Sequence, residues 1–73
     1  MKYALKLPEA SFEIKREPQG LWDLWVNGMP TLTFAAPEDA AKAVHEHCTG
    51  WALWDSDQSV PAPENLSGWT TIP

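Results

Sequence analysis

Two short glycine-bearing stretches, Pro18-Gln19-Gly20 and Asn27-Gly28, interrupt an otherwise alternating run of apolar and polar side chains and leave this chain few ways to fold. Glycine takes the left-handed backbone that tight reversals need, and proline presets φ at the first turn position, so each stretch reads as a hairpin turn. A three-residue loop at Pro18-Gln19-Gly20 pairs Glu17 with Leu21, Arg16 with Trp22, Lys15 with Asp23 and Ile14 with Leu24. That register sets an opposite-charge pair and an apolar pair directly across from each other, which cross-strand energetics favour.

The second turn admits two readings. Asn27-Gly28 can form a two-residue type I′ turn, or Val26-Asn27-Gly28 can form a three-residue loop with Gly28 left-handed. A slip of one residue exchanges the faces of a strand. The shorter turn puts Trp22 and Leu24 on a face with Thr31 and Thr33; the longer loop puts them with Pro30 and Leu32. The longer loop sorts apolar from polar better and is the expectation. One face then carries Phe12, Ile14, Trp22, Leu24, Leu32 and Phe34, and the other carries Glu13, Lys15, Leu21, Asp23, Trp25, Met29, Thr31 and Thr33.

Upstream, Met1, Tyr3, Leu5 and Leu7 alternate with Lys2, Ala4 and Lys6, a half-buried strand that Pro8 ends; its place at the centre or the edge of the sheet stays open. Downstream, Pro37-Glu38-Asp39 announces a helix over 37–48. Proline is tolerated at the first helical position, and two carboxylates face the positive end of the dipole. Ala40, Ala41, Val44 and Cys48 form its small apolar stripe, with Gly50 as the stop. So short a helix is marginal alone and must lie on a sheet face. Residues 50–73 hold Trp51, Leu53, Trp54, Leu66, Trp69 and Ile72 among prolines, too apolar for water and too interrupted for one helix, so the tail is expected to wrap back over the domain. The expected fold is one α+β domain spanning 1–73: an antiparallel sheet of three or four strands over 1–34 in β-β-β-β-α order, one helix on one face, and an irregular tail.

At 73 residues the chain has room for a single core. Its one cysteine, Cys48, closes no internal disulfide, so packing must supply stability and a reducing cytoplasm is the expected setting. No run resembles a secretory signal or a membrane span. Residues 1–16 carry Lys2, Lys6, Lys15 and Arg16 against Glu9 and Glu13, whereas residues 17–73 carry Lys42 alone against eight acids. A net charge of −5 disfavours a nucleic-acid partner, whose phosphates require clustered cations.

Three constellations invite chemistry. In His45-Glu46-His47-Cys48 the two histidines would lie about 200° apart around a helix, so only His45 and Cys48 could share a metal, and no ligand-spaced acids complete a site. The expectation is a solvent-facing His47, a partly buried His45 and a core Cys48, with neither catalysis nor a metal or cofactor. Asp55-Ser56-Asp57-Gln58-Ser59 opens like a calcium loop but has Val60 where glycine is needed and Leu66 where glutamate is needed, so it reads as an acidic turn. Five tryptophans in so small a domain substitute for the large core it lacks. Trp25 is the exception: it is expected on the face away from the helix, with Leu21 and Met29 as apolar neighbours and Asp23 and Lys15 at the rim, as in an interaction patch.

The run Leu21-Trp22-Asp23-Leu24-Trp25-Val26-Asn27-Gly28, with Thr33-Phe34, Pro37 to Val44 and Thr49-Gly50-Trp51, resembles a group of small uncharacterised bacterial proteins built as aromatic strand, Asn-Gly turn, strand, Ala-rich helix and Trp-containing tail. The resemblance covers about half the chain and implies a small bacterial sheet-plus-helix fold without implying an activity. The strand-strand-strand-helix order is also similar to AP2-type and integrase-arm DNA-binding domains. Their reading face uses several Arg and Lys, where this chain offers Lys15 against Glu13 and Asp23. A protein-interaction or adaptor module acting on an unidentified protein or on a second copy is therefore the first functional expectation, nucleic-acid binding the second, and a metal- or thiol-dependent enzyme the third.

Overall fold

The computed structural model describes every residue from Met1 to Pro73. The Pro18-Gln19-Gly20 reversal joins β2 (Ser11–Arg16) to β3 (Trp22–Val26), with Gly20 at φ +98 and the Glu17 N–H donating to the Leu21 carbonyl at 2.7 Å. The observed pairs Arg16–Trp22, Lys15–Asp23 and Ile14–Leu24 are those the turn dictates.

The second hairpin corrects the expectation. β3 passes to β4 (Met29–Phe34) through Asn27 at φ +51 and Gly28 at φ +83, a two-residue type I′ turn that pairs Val26 with Met29. Asparagine tolerates the left-handed backbone, and here it is also tied to β2: the Asn27 N–H donates to the Ser11 carbonyl at 2.8 Å, and its Oδ1 accepts the Ser11 N–H at 2.9 Å. The slip this should cause in the facing of β4 is undone two residues later. Trp25 pairs with Pro30 and Leu24 with Leu32, so Thr31 is an extra, bulged residue, its Oγ1 donating to the Leu24 carbonyl at 3.2 Å. Leu32 and Phe34 thereby return to the face of Leu24 and Trp22. Two residues land elsewhere than expected. Val26 is fully buried core rather than loop, and Met29 sits across from it, on the face of Val26 rather than beside Trp25.

β1 (Lys2–Lys6) lies inside the sheet, between β2 and a fifth strand, β5 (Thr70–Ile72), formed by the end of the tail. The order is β4-β3-β2-β1-β5, antiparallel at every pairing. The fold is thus α+β with five strands and one main helix.

α1 (Pro37–His45) contacts β2, β3 and β4, and its Ala40, Ala41 and Val44 share one apolar cluster with Phe12, Ile14, Leu24 and Val26. It ends three residues earlier than expected, so Cys48 lies beyond it, exposed, and not on its apolar stripe. The tail then folds onto the same cluster. In the short helix α2 (Ala52–Asp55), Trp54 lies edge-on to Phe12 with ring centroids 4.9 Å apart and donates its Nε1–H to the Val44 carbonyl at 3.0 Å. A 3-10 turn (Leu66–Gly68), capped by the Asn65 side chain, delivers Trp69 to within 6.2 Å of the same ring. Burying an indole removes 150–250 Å² from water, an upper bound of about 4–6 kcal/mol each. Trp54 and Trp69 thus supply much of the core that so short a chain cannot build from its sheet and helix alone.

Candidate interaction face

Because α1 and the buried part of the tail share one side, the opposite side of the sheet is left to its own side chains. Register places Lys2, Ala4 and Lys6 of β1, Ser11, Glu13 and Lys15 of β2, Asp23 and Trp25 of β3, Thr33 of β4, and Thr70 and Ile72 of β5 on it. One row runs Trp25, Glu13, Ala4, Thr70, and the next runs Asp23, Lys15, Lys2, Ile72. No hydrogen bond or ion pair reaches this face from residues 46–69.

At its centre Glu13 is gripped from both sides, by Lys2 Nζ at 3.0 Å and Lys15 Nζ at 3.5 Å. The Lys2 hydrogen bond, aided by the Lys15 charge, holds the Glu13 carboxyl below the ordinary glutamate value against a smaller opposing effect of partial burial. The same Lys15 ammonium stands 4.2 Å from the centroid of the Trp25 ring, a cation–π contact. The Thr33 hydroxyl donates to Asp23 Oδ1 at 2.8 Å. The neighbouring Asp23 raises the Glu17 carboxyl above its ordinary value, chiefly because protonated Glu17 can donate to it and, to a lesser degree, because two neighbouring carboxylates resist ionising together.

Trp25 is half-buried, and its Nε1 is covered by neighbouring atoms without meeting an acceptor. An unpaired donor of this kind costs about 1–3 kcal/mol. Beside the indole lies a groove of about 350 Å³ lined by Ala4, Lys6, Ser11, Glu13, Trp25 and Ile72, with Phe12 and Gly28. Lys6 makes no ion pair.

Of the five residues expected to form the patch, the structure brings together Trp25, Lys15 and Asp23, with Leu21 exposed at the start of the same strand face. Met29 does not belong to it, because the type I′ turn sends it to the other side, where it is 56% exposed at the sheet edge. The additions the sequence did not suggest are Ala4, Lys6 and Ile72. Their signal was the alternation of β1 and the Thr-Thr-Ile ending, but neither strand had an assigned neighbour.

The histidine–cysteine cluster is dispersed. His45 is exposed and its Nδ1 lies 3.0 Å from the Ala62 carbonyl; His47 is buried rather than solvent-facing; Cys48 Sγ points at the Glu46 carbonyl at 3.5 Å. No three His, Cys, Asp or Glu side chains converge as metal ligands would. The acids of the calcium-like run are occupied by nearby backbone N–H and hydroxyl donors instead. Asp55 accepts from the Thr49 N–H and hydroxyl at 2.9 and 2.7 Å and from the Gly50 N–H at 2.9 Å, while Asp57 accepts from the Ser59 hydroxyl at 2.6 Å.

Comparison with protein-family models, curated proteins and solved structures finds no match to this chain. No helix is long and apolar enough to cross a membrane.

Proposed function

We propose that this chain is a non-catalytic protein-interaction module whose docking surface is the open face of the sheet, with Trp25 as its anchor. The observation that carries the reading is that Trp25 borders a groove no other part of the chain enters. An aromatic residue framed by charges is the usual energetic centre of a protein interface. The groove's lining combines the apolar Trp25 and Ile72 with Lys6, which makes no ion pair, and so suits an apolar side chain beside a carboxylate. A single cysteine is consistent with a reducing compartment such as the cytoplasm, and the strand-turn-strand-helix plan with a place among small bacterial proteins of the kind the sequence resembles.

Truncating the anchor tests this. Trp25→Ala should leave the thermal midpoint within a few degrees of the unmodified chain, since the ring is half-buried on an open face, while abolishing whatever the module captures, including a second copy detected by sedimentation. An unfolded variant would move Trp25 into the core; an undiminished capture would remove it from the docking surface.

The shared placement of Lys2, Lys6 and Lys15 on the same face favours a second reading, nucleic-acid binding. Glu13 neutralises two of the three. Binding to a short duplex at low salt that weakens steeply with added salt would support it, and no binding at low salt would end it.

A further inference from the structure

His47 stands where glycine ordinarily stands. α1 closes with the Cys48 N–H donating to the Ala43 carbonyl at 2.9 Å and the His47 N–H to the Val44 carbonyl at 3.2 Å, a Schellman arrangement whose left-handed residue is His47, at φ +57. A residue with a Cβ pays roughly 1–2 kcal/mol there, so the imidazole must return something.

The ring is enclosed, with the residue 7% exposed. It lies parallel to the Trp54 indole, centroids 4.3 Å apart and planes 10° from coplanar. Its Nδ1 is 2.8 Å from the Trp54 carbonyl oxygen, and its Nε2 is 2.8 Å from the Val60 carbonyl oxygen. Carbonyl oxygens only accept. A neutral imidazole has one N–H and one lone pair, so it can satisfy one of the two and must aim its lone pair at the other; only the doubly protonated ring donates to both. The indole face against it also favours a cation. His45 supplies the contrast, because its ring meets a single carbonyl, that of Ala62, and one N–H is enough to satisfy it.

We propose that His47 is a proton-operated clasp: as imidazolium it ties the Trp54 and Val60 carbonyls to the end of α1, and loss of one proton opens one of the two ties. The two ties are unequal. The Trp54 carbonyl also accepts from the Asp57 N–H at 3.2 Å, whereas the ring is the only donor to the Val60 carbonyl; whichever tie opens, the loop between them is held to the ring at one end instead of two. The charged groups on the surrounding elements are mostly acidic. Glu9 and Asp57 line a small cavity with Trp54 and Val60, Glu46 and Cys48 flank His47 along the chain, and Asp55 is engaged by Thr49 and Gly50. On α1, His45 and the exposed Lys42 complete the set.

The experiment is a long-range proton–nitrogen NMR titration of the full chain from about pH 5 to about pH 8.5, the range in which histidines exchange their charge. At the acidic end both His47 ring nitrogens should report protonation. As that state is lost, the amide protection factors of residues 57–62 should fall in step by about fivefold, the factor a single hydrogen bond is worth, with no response to the titration of His45. A folded protein whose His47 is a single neutral tautomer at about pH 5.5, or whose residues 57–62 ignore the titration, overturns the proposal. His47→Asn keeps a residue that tolerates the left-handed backbone but cannot bridge the two carbonyls. It should show low protection at 57–62 throughout and no step; retention of the step overturns the proposal equally, and should the variant fail to fold, the titration of the unmodified chain decides.

Discussion

The two buried tryptophans of the tail differ by one hydrogen bond. Trp54 Nε1 donates to the Val44 carbonyl at 3.0 Å, whereas the equally enclosed Trp69 Nε1 has no partner. Replacing either indole by phenylalanine removes similar apolar area but opposite polar consequences. Trp54→Phe loses a buried hydrogen bond, although the Val44 carbonyl keeps the His47 N–H, and should cost about 2–3 kcal/mol; Trp69→Phe removes an unsatisfied donor and should cost about 1 kcal/mol less than that. Urea midpoints of the two variants check the ordering. On the open face, Glu13 makes stability depend on acidity. Its carboxyl titrates lower in the folded chain than the ordinary value of 4.5, so its contribution is present above that pH and disappears as the pH falls through the lower folded value. The ion pairs are partly exposed, so the contribution is at most about 1 kcal/mol. The stability difference between the unmodified chain and Glu13→Gln should therefore shrink below pH 4.5. Glu17 works in the opposite sense, since its raised carboxyl loses ground as it ionises beside Asp23.

The element that decides the two faces is the bulge in β4. With a two-residue turn, regular pairing would set Thr31 against Leu24 and turn Leu32 and Phe34 to solvent; the extra residue prevents this. Deleting Thr31 should accordingly be tolerated, because Leu32 would follow Pro30 directly and still meet Leu24. A cooperative unfolding transition with a loss below about 2 kcal/mol is expected, reflecting mainly the lost bulge hydrogen bond and a changed twist. Had the turn held three residues, the same deletion would reverse the end of the strand and unfold the chain. This geometry explains what the sequence discloses and what it hides. Pro18-Gln19-Gly20 sets its register alone, so the β2–β3 pairs are readable one by one. At the second turn a one-residue misreading and an unsuspected bulge cancel for Leu32 and Phe34 but not for Val26 and Met29. The end of α1 is hidden for a different reason: His47 fills a position that glycine signals, so Gly50 reads as the stop. The Asp55 bonds to Thr49 and Gly50 follow no period at all and leave no pattern to find.

For the whole molecule, the tail is the organising choice. By sending Trp54 and Trp69 beneath α1 and its last three-residue strand to the edge of β1, it completes one side of the sheet and extends the other without covering it. That division of labour is the basis of the proposed docking surface, and it was legible only in part: the apolar tail had to bury itself somewhere, but composition does not say on which side. A tail folded over Trp25 would have made the indole one more core residue and left α1 with a thinner core.

The most direct test is the set of nuclear Overhauser contacts made by the Trp25 ring in the free protein. The account predicts contacts to Lys15, Glu13 and other residues of the open sheet face, and none to residues 37–69. Contacts from that ring to α1, Trp54 or Trp69 would show the indole on the covered side and contradict the assignment of a free, aromatic docking face.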